Sequence, residues 1–350
     1  MPRRLAEVDF IRSRVTAYEP HVGEPPASDP LEVEIAGKQR NRLINALVLY
    51  GLLAALLLVL SRDPATLVLV GILAAIAAVS LWVLFLRVLP GRRLMNLPTV
   101  LVTPGPGQLL VSSSTVSVAL PGAQWVVVRL PRSKRIQLAG VRRLFLVGPD
   151  ARGRVLVALP GGITARFGRL RTAAVSGSVE PGSQPHQPVP AAQDPVLVAF
   201  VREVWWRTAG TAIVLILVAA LFLAGNAYLD APVTGGLATV IAVFYVLFGL
   251  LVLSRAATLA SAVRSQAWHE LPATLDTAIE AVGFGALGGA EGRAMLSDGE
   301  AVVRFRRQPI DLLVNVRATG RLWVLGEPRR GKKVVVGLPG HPIFAMVKLG

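Results

Sequence analysis

The chain has 350 residues, of which 53% are hydrophobic and 17% are charged, and its formal net charge at pH 7 is +16. Soluble globular domains carry about 25% charged residues, so this composition predicts a protein that is largely buried in lipid. Cysteine is absent, which excludes a disulfide framework, a thiolate nucleophile and cysteine metal sites.

The chain opens with a polar stretch and then becomes strongly apolar. Residues 1–42 include the run HVGEPPASDP, and we expect them to form a partly disordered cytoplasmic tail. Residues 43–90 contain two charge-free runs, Leu43–Leu60 and Leu67–Phe85, which are separated by about six residues. Each run is long enough to cross ~30 Å of hydrocarbon as a helix, and so short a connection predicts a transmembrane hairpin.

Residues 91–175 have the pattern of a small cytoplasmic β domain. Short apolar, β-branched runs alternate there with PGPG, PG and GPD turns, as is typical of strands joined tightly. We expect seven strands, in a barrel or sandwich, within VLVT, QLLVS, TVSVAL, QWVVVRL, RRLFLVG, RVLVALP and ITARFG. Residues 176–200 are rich in Pro, Gly and Ser and are interpreted as a linker.

The second half repeats this order of elements. Residues 201–255 contain the apolar runs Ala209–Leu229 and Val233–Leu253, only three residues apart, which predict a second transmembrane hairpin. Residues 256–350 are expected to form a cytoplasmic α/β domain that opens with a helix over Ala256–Val282. Five strands are predicted after it, near Ala301–Phe305, Asp311–Val316, Arg321–Leu325, Val334–Leu338 and Ile343–Val347.

Basic residues predict the orientation of these runs, because Lys and Arg concentrate on the cytoplasmic flank of membrane helices. The two hairpin tips together hold one basic residue, Arg62. The opposite flanks hold ten, namely Lys38, Arg40, Arg42, Arg87, Arg92, Arg93, Arg202, Arg207, Arg255 and Arg264. We therefore expect a multi-pass protein of the plasma (inner) membrane with both termini in the cytoplasm.

Two stretches resemble one another at an offset of nearly half the chain. Arg143–Gly161 contains RLFLVG, GR and VLVALPG, and Arg321–Gly340 contains RLWVLG, GK and VVVGLPG. Each reads as two strands joined by a turn. Self-similarity of this kind predicts an internal duplication. The fold class that follows is membrane α+β, with four transmembrane helices as two hairpins, each followed by a small, mainly-β cytoplasmic domain.

Through these two stretches the chain resembles uncharacterised integral membrane proteins of actinobacteria, in which a helical hairpin precedes a small β domain that ends in a GR-x-[VL]-V-x-LPG hairpin. At the level of layout it also resembles bacterial pleckstrin-homology-like membrane proteins. The resemblance implies an arrangement of domains and carries over no active residue.

Two apparent nucleotide-binding motifs lack the context that they need. Gly326–Lys333 spells G-x-x-x-x-G-K without the final Ser or Thr, and a Val-rich strand is expected after it where a phosphate loop requires a helix. Gly283–Gly288 matches G-x-G-x-x-G but follows a predicted helix rather than a strand. The four histidines are scattered. We therefore predict no catalytic residue, no cofactor and no metal site, and we expect that the protein is not an enzyme.

Positive charge is the feature that points to a partner. A domain beneath an anionic leaflet gains about 1 kcal/mol for each basic residue near the surface. The candidate contacts with anionic lipid are Arg87, Arg92, Arg93, Arg129, Arg132, Lys134, Arg135, Arg202 and Arg207. Positive-inside topology alone would also make cytoplasmic loops basic, so this alternative stays open. Nucleic acid is not expected, because basic and aromatic residues are not interleaved.

The functional hypothesis is a non-catalytic membrane adaptor or scaffold that presents basic cytoplasmic β domains to a protein partner or to an anionic lipid surface. The alternative is an accessory subunit of a membrane transport or cell-envelope assembly complex. The expected partners are the lipid bilayer and either another protein or a second copy of the chain, bound through the transmembrane helices.

Overall fold

Long helices account for the apolar part of the protein. This computed structural model describes residues 15–60, 64–176, 179–180, 190–228, 232–265, 267–282 and 287–350. The long helices are α1 (Pro30–Leu60), α2 (Pro64–Val83), α5 (Pro195–Tyr228) and α6 (Pro232–Ser265), and α2 continues through a π-helical turn at Leu84–Val88 into α3 (Leu89–Leu94). Helix α1 packs along α2, and α5 packs along α6.

Three stretches of these helices are long and apolar enough to cross a bilayer, namely Pro30–Leu60, Val70–Leu94 and Val243–Arg264, among the residues that the structure describes. Their outward side chains are apolar and exposed, as Val79 is at 62%. Exposed apolar surface on this scale is typical of a membrane protein, because its exposure to water would be unfavourable and would cause aggregation. The sequence predicted four spans; among the described residues three candidates meet these criteria, and the predicted run Ala209–Leu229 is not one of them.

The helices extend well beyond their apolar runs. Helix α1 begins at Pro30 although the apolar run begins at Leu43, and the intervening turns carry the charged residues of the segment. Helix α5 likewise begins at Pro195, before the run at Ala209. We call Pro30–Arg42 the α1 stalk and Pro195–Thr208 the α5 stalk. Both stalks lie outside the apolar runs and pack against the β domains.

The first β domain contains all seven predicted strands. They form one antiparallel half-barrel in the order β1-β5-β6-β7-β4-β3-β2, and a short helix, α4 (Arg132–Val141), lies between β4 and β5. The strands are β1 (Thr99–Val102), β2 (Leu109–Val111), β3 (Thr115–Leu120), β4 (Gln124–Arg129), β5 (Leu144–Val147), β6 (Arg154–Ala158) and β7 (Arg166–Arg171). Helix α4 was not predicted, because RSKRIQLAGV has too few apolar residues to show a helical period.

The second β domain is a closed barrel. Strands β8, β12, β13, β14, β11 and β10 pair in a ring, and β9 pairs with the outer part of β10. The strands are β8 (Trp268–Leu275), β9 (Glu280–Val282), β10 (Leu287–Leu296), β11 (Gly299–Pro309), β12 (Arg321–Leu325), β13 (Lys333–Gly337) and β14 (Phe344–Leu349). Gly292 lies where β10 meets β8, and a Cβ there would lie 2.2 Å from the Thr274 carbonyl oxygen.

Two predicted elements of this domain are wrong. The helix expected over Ala256–Val282 ends at Ser265, and β8 and β9 follow it. The strand expected at Asp311–Val316 is part of a helix, α7 (Ile310–Thr319). A short buried apolar run does not distinguish strand from helix by period. Helix α7 is bounded by Pro309 and by Gly320, whose φ of 67° supplies a left-handed C-terminal cap.

The two domains share one topology. Taken in chain order, β1–β4, α4 and β5–β7 correspond to β8–β11, α7 and β12–β14, and every strand pair of the half-barrel has a counterpart in the barrel. The barrel has one further pair, β8 with β10, which closes it. The repeated stretches form the β5–β6 and β12–β13 hairpins, as predicted.

The N-terminal segment Val15–Asp29 joins the two domains, where a partly disordered tail was expected. Gly23 N donates to the Thr99 carbonyl oxygen on β1 at 2.8 Å, and Tyr18 N donates to Asn315 Oδ1 on α7 at 2.8 Å. The Tyr18 carbonyl accepts from Gly161 N at 2.7 Å. These bonds tie the segment to a free sheet edge on one side and to the barrel on the other.

Candidate functional site

A cleft of about 700 Å³ lies between the α1 stalk, helix α3 and the first β domain. Its rim and walls include Val88 and Gly91 from the end of the first helix pair, and Arg207 from the α5 stalk. We call it the juxtamembrane cleft. Its charged lining residues are Glu32, Arg92, Arg129, Arg132, Arg135, Arg166 and Arg207.

Close packing of α3 on the sheet fixes one wall of the cleft. Gly91 faces the ring of Phe167 on β7, and a Cβ at Gly91 would lie 3.3 Å from the Phe167 Cζ atom. Leu94 is fully buried with Val147 and Leu156 on the same face of the sheet. Apolar contacts of this kind hold the helix against the domain, so the spacing between Arg92 and the domain's arginines is set by a packed interface.

The opposite wall is the start of α4, which the α5 stalk holds in place. Glu203 accepts hydrogen bonds from Ser133 N at 2.9 Å and from Ser133 Oγ at 2.8 Å, and a carboxylate at this end of a helix is favourable. Arg135 donates through Nη1 to the Ser112 carbonyl oxygen. Its Nε atom is buried without a hydrogen-bond partner, and burial lowers the pKa of Arg135 although Glu203 opposes the shift.

Among the described residues that line the cleft, arginines outnumber acids. None of its six arginines forms an ion pair with a carboxylate in the part of the chain that the structure describes. The acid that lines the cleft, Glu32, has its pKa raised to about 8 by burial and then by the nearby Asp29. Its carboxyl is therefore mostly protonated at neutral pH. Several guanidinium groups beside a neutral carboxyl favour an anionic ligand.

The cleft begins at the level where the apolar runs end. Val88 is three residues past the end of the run at Phe85, and Arg207 is two residues before Ala209, so both lie within about 5 Å of those boundaries along their helices. The neighbouring Trp206 is 66% exposed, as is typical of tryptophan at a membrane surface. Glu32 lies eleven residues before Leu43, or about 16 Å further from the apolar region.

The structure brings five of the nine predicted lipid contacts together in this cleft: Arg92, Arg129, Arg132, Arg135 and Arg207. Arg93 lines a smaller adjoining cavity of about 320 Å³, and Arg202 is exposed on the α5 stalk. Lys134 does not line the cleft. It is partly buried, and burial lowers its pKa although Asp311 opposes the shift. The side chain of Arg87 lies outside the described residues.

Arg166 completes the set and was not predicted. It begins β7 and is exposed at the cleft, beside Ile163 and Thr164. Sequence offers no signal for it beyond its charge, because its place depends on how β7 pairs with β4 and β6.

A second polar cluster fastens the two β domains together. Asp311 on α7 accepts hydrogen bonds from Ile163 N at 2.9 Å, Thr164 N at 3.1 Å and Thr164 Oγ1 at 2.8 Å. Asn315 Nδ2 donates to the Gly161 carbonyl oxygen at 2.7 Å. His341 is buried against Gly161, where an added Cβ would lie 2.6 Å from the imidazole. We call this cluster the interdomain lock.

The nucleotide-like stretches do not form nucleotide sites in the described structure. Gly326–Lys333 leads from β12 to the antiparallel strand β13, and no helix follows it. Residues 283–286 lie outside the described residues, and Gly288 belongs to β10. Within the described ranges, no three His, Asp or Glu residues are grouped so that they could hold a metal ion.

Comparisons of the chain with protein-family models, with curated proteins and with solved structures found no match.

Proposed function

We propose that this protein is a non-catalytic membrane adaptor that holds two coupled, basic β domains against the anionic cytoplasmic leaflet and offers them to a protein partner. The proposal includes four spans as two hairpins, both termini in the cytoplasm and a location in the plasma (inner) membrane. The observation that carries it is the juxtamembrane cleft near the end of the apolar runs. Six arginines line it, and none of them is ion-paired with an acid among the described residues. The interdomain lock supports the proposal, because its hydrogen bonds couple the two β domains, which can then present one surface.

Native purification tests the adaptor role. The tagged protein is extracted from its own membrane in mild detergent, and co-purifying proteins and lipids are identified. We expect enriched anionic lipid together with a stoichiometric soluble partner. A multi-spanning partner instead would favour the accessory subunit of a transport or envelope-assembly complex. Recovery of the protein without any partner would contradict both the adaptor role and the subunit role.

The absence of cysteine allows a direct test of topology. Single substitutions Asp63→Cys and Asp230→Cys place a thiol at the two predicted hairpin tips, which lie outside the described residues. Glu180→Cys places one in the linker beside the first β domain, where Glu180 pairs with Arg142, and Asp298→Cys places one in the second β domain. A membrane-impermeant maleimide should label the tip variants in intact cells and the domain variants only after permeabilisation. Labelling of Glu180→Cys in intact cells would refute the proposed orientation.

A further inference from the structure

The juxtamembrane cleft has the dimensions of a built ligand site. Ligand pockets in proteins usually measure about 300–1,000 Å³, and this one measures about 700 Å³. It is lined by polar Ser113, Ser114 and Thr164 beside the arginines. Apolar Ile35 and Phe167 also line it. This mixture suits a ligand with a charged head and an apolar body.

The charged head must be an anion with several oxygen acceptors. Arginine presents a planar fork of donors that matches the oxygens of a phosphate group, which it holds by charge-assisted hydrogen bonds. Arg129 and Arg132 are exposed toward the cleft, and Arg135 lies beside them with a buried Nε atom that lacks a partner. Like charges that line one cleft repel one another, and an anion between them would lower this repulsion.

The position of the cleft selects a lipid over a free anion. Its rim at Val88 and Arg207 lies within about 5 Å of the apolar runs, so a headgroup can enter while its acyl chains stay in the bilayer. Apolar lining at Ile35 and Phe167 would contribute nothing to a free phosphate ion.

We propose that the juxtamembrane cleft binds the phosphodiester headgroup of one anionic phospholipid, with Arg129, Arg132 and Arg135 around the phosphate. This rests on the proposed function and goes beyond it, because a basic surface attracts anionic lipid diffusely whereas the cleft holds one molecule at a saturable site. Arg92, Arg166 and Arg207 also line the cleft and add to its positive charge.

The test is native mass spectrometry of the full-length protein in detergent, titrated with phosphatidylglycerol, with phosphatidylcholine or with inorganic phosphate. We expect one tightly bound phosphatidylglycerol per chain and weaker binding of phosphatidylcholine. The double variant Arg129→Gln/Arg132→Gln should weaken phosphatidylglycerol binding by roughly 100-fold, because each charge-assisted bond accounts for roughly 10-fold. The matched control is Arg169→Gln/Arg171→Gln, which removes the same charge from exposed positions of the same domain outside the cleft; it should change affinity less than threefold.

The outcomes separate the inference from the proposed function. Equal weakening by both double variants would overturn the cleft site while leaving a diffuse basic surface intact. Equal binding of phosphatidylglycerol and phosphatidylcholine by the unsubstituted protein would overturn both. Displacement of the lipid by inorganic phosphate at the same concentration would assign the cleft to a free anion. Glu32→Gln keeps the test independent of misfolding, because a misfolded variant cannot gain affinity. It should strengthen phosphatidylglycerol binding at pH 9, and unchanged binding would count against the cleft.

Discussion

The interdomain lock provides the sharpest test of how the two β domains are joined. The substitution Asp311→Ala removes the acceptor of three hydrogen bonds, from Ile163 N, Thr164 N and Thr164 Oγ1. Hydrogen bonds to a charged group contribute about 1.5–3 kcal/mol each, and the donors left behind are partly buried. Since water can reach part of this surface, we expect the free energy of opening the interface to fall by about 3–5 kcal/mol.

Hydrogen exchange measures this loss directly, because two of the three donors are backbone amides. In the full-length protein in detergent, the amides of Ile163 and Thr164 should exchange about 100- to 5,000-fold faster in Asp311→Ala than in the unsubstituted protein. Asp311→Asn keeps one acceptor oxygen and should show a smaller change. Asp298→Ala, which removes an exposed acid of the same domain, is the control. Unchanged protection in Asp311→Ala would refute the reasoning.

Two further predictions concern the barrel and the cleft. Gly292→Ala should open the β8–β10 seam, because the new Cβ would meet a carbonyl oxygen of β8. We expect the melting temperature of the protein to fall by several degrees in a thermal unfolding assay. Gly289→Ala on the same strand makes only an ordinary contact and should leave the melting temperature unchanged. Phosphatidylglycerol binding should be constant below about pH 7 and weaken as the pH rises through 8, where Glu32 loses its proton. Tyr18 stays neutral in this pH range because burial raises its pKa. The lipid phosphodiester does not change its charge there either. Glu32→Gln should therefore abolish the pH dependence in the same binding assay.

The local sequence pattern predicted the strands of the first β domain. Its seven strands are short, β-branched and separated by Gly- and Pro-rich turns, so the pattern and the fold coincide. The same approach failed at Trp268–Leu275, where Pro272 and alternating small residues concealed a strand that barrel closure stabilises. It also failed at Ile310–Thr319, whose burial on nearly every side removes the helical period.

The candidate site depended on contacts that no local pattern contains. Charge identified Arg92, Arg129 and Arg207 individually, but they belong to a helix end, a strand end and a stalk that are far apart in the chain. Their convergence follows from the packing of Gly91 on Phe167 and of Glu203 on Ser133. Contacts between residues so far apart in the chain leave no local pattern in one sequence. Arg166 was not predicted for the same reason.

The shared topology also explains what the half-barrel lacks. The pair corresponding to β8–β10 would be β1–β3, and it is absent from the described half-barrel, so β1 and β2 are its edge strands. Exposed strand edges invite association with other chains. Here the edges are covered by irregular segments of the same chain, with Gly23 and Glu24 on β1 and Val179 on β2. The N-terminal segment thus takes over part of the role of a closing strand.

The place of that segment in the chain has a consequence for synthesis. Tyr18 is synthesised 297 residues before its partner Asn315. At about 5–20 residues per second, roughly 15–60 s separate the two. During that interval the apolar runs are already available to the membrane while the first domain still has an uncovered contact surface. The contacts of Asn315 with Tyr18 and Gly161 can therefore form only after α7 has been synthesised.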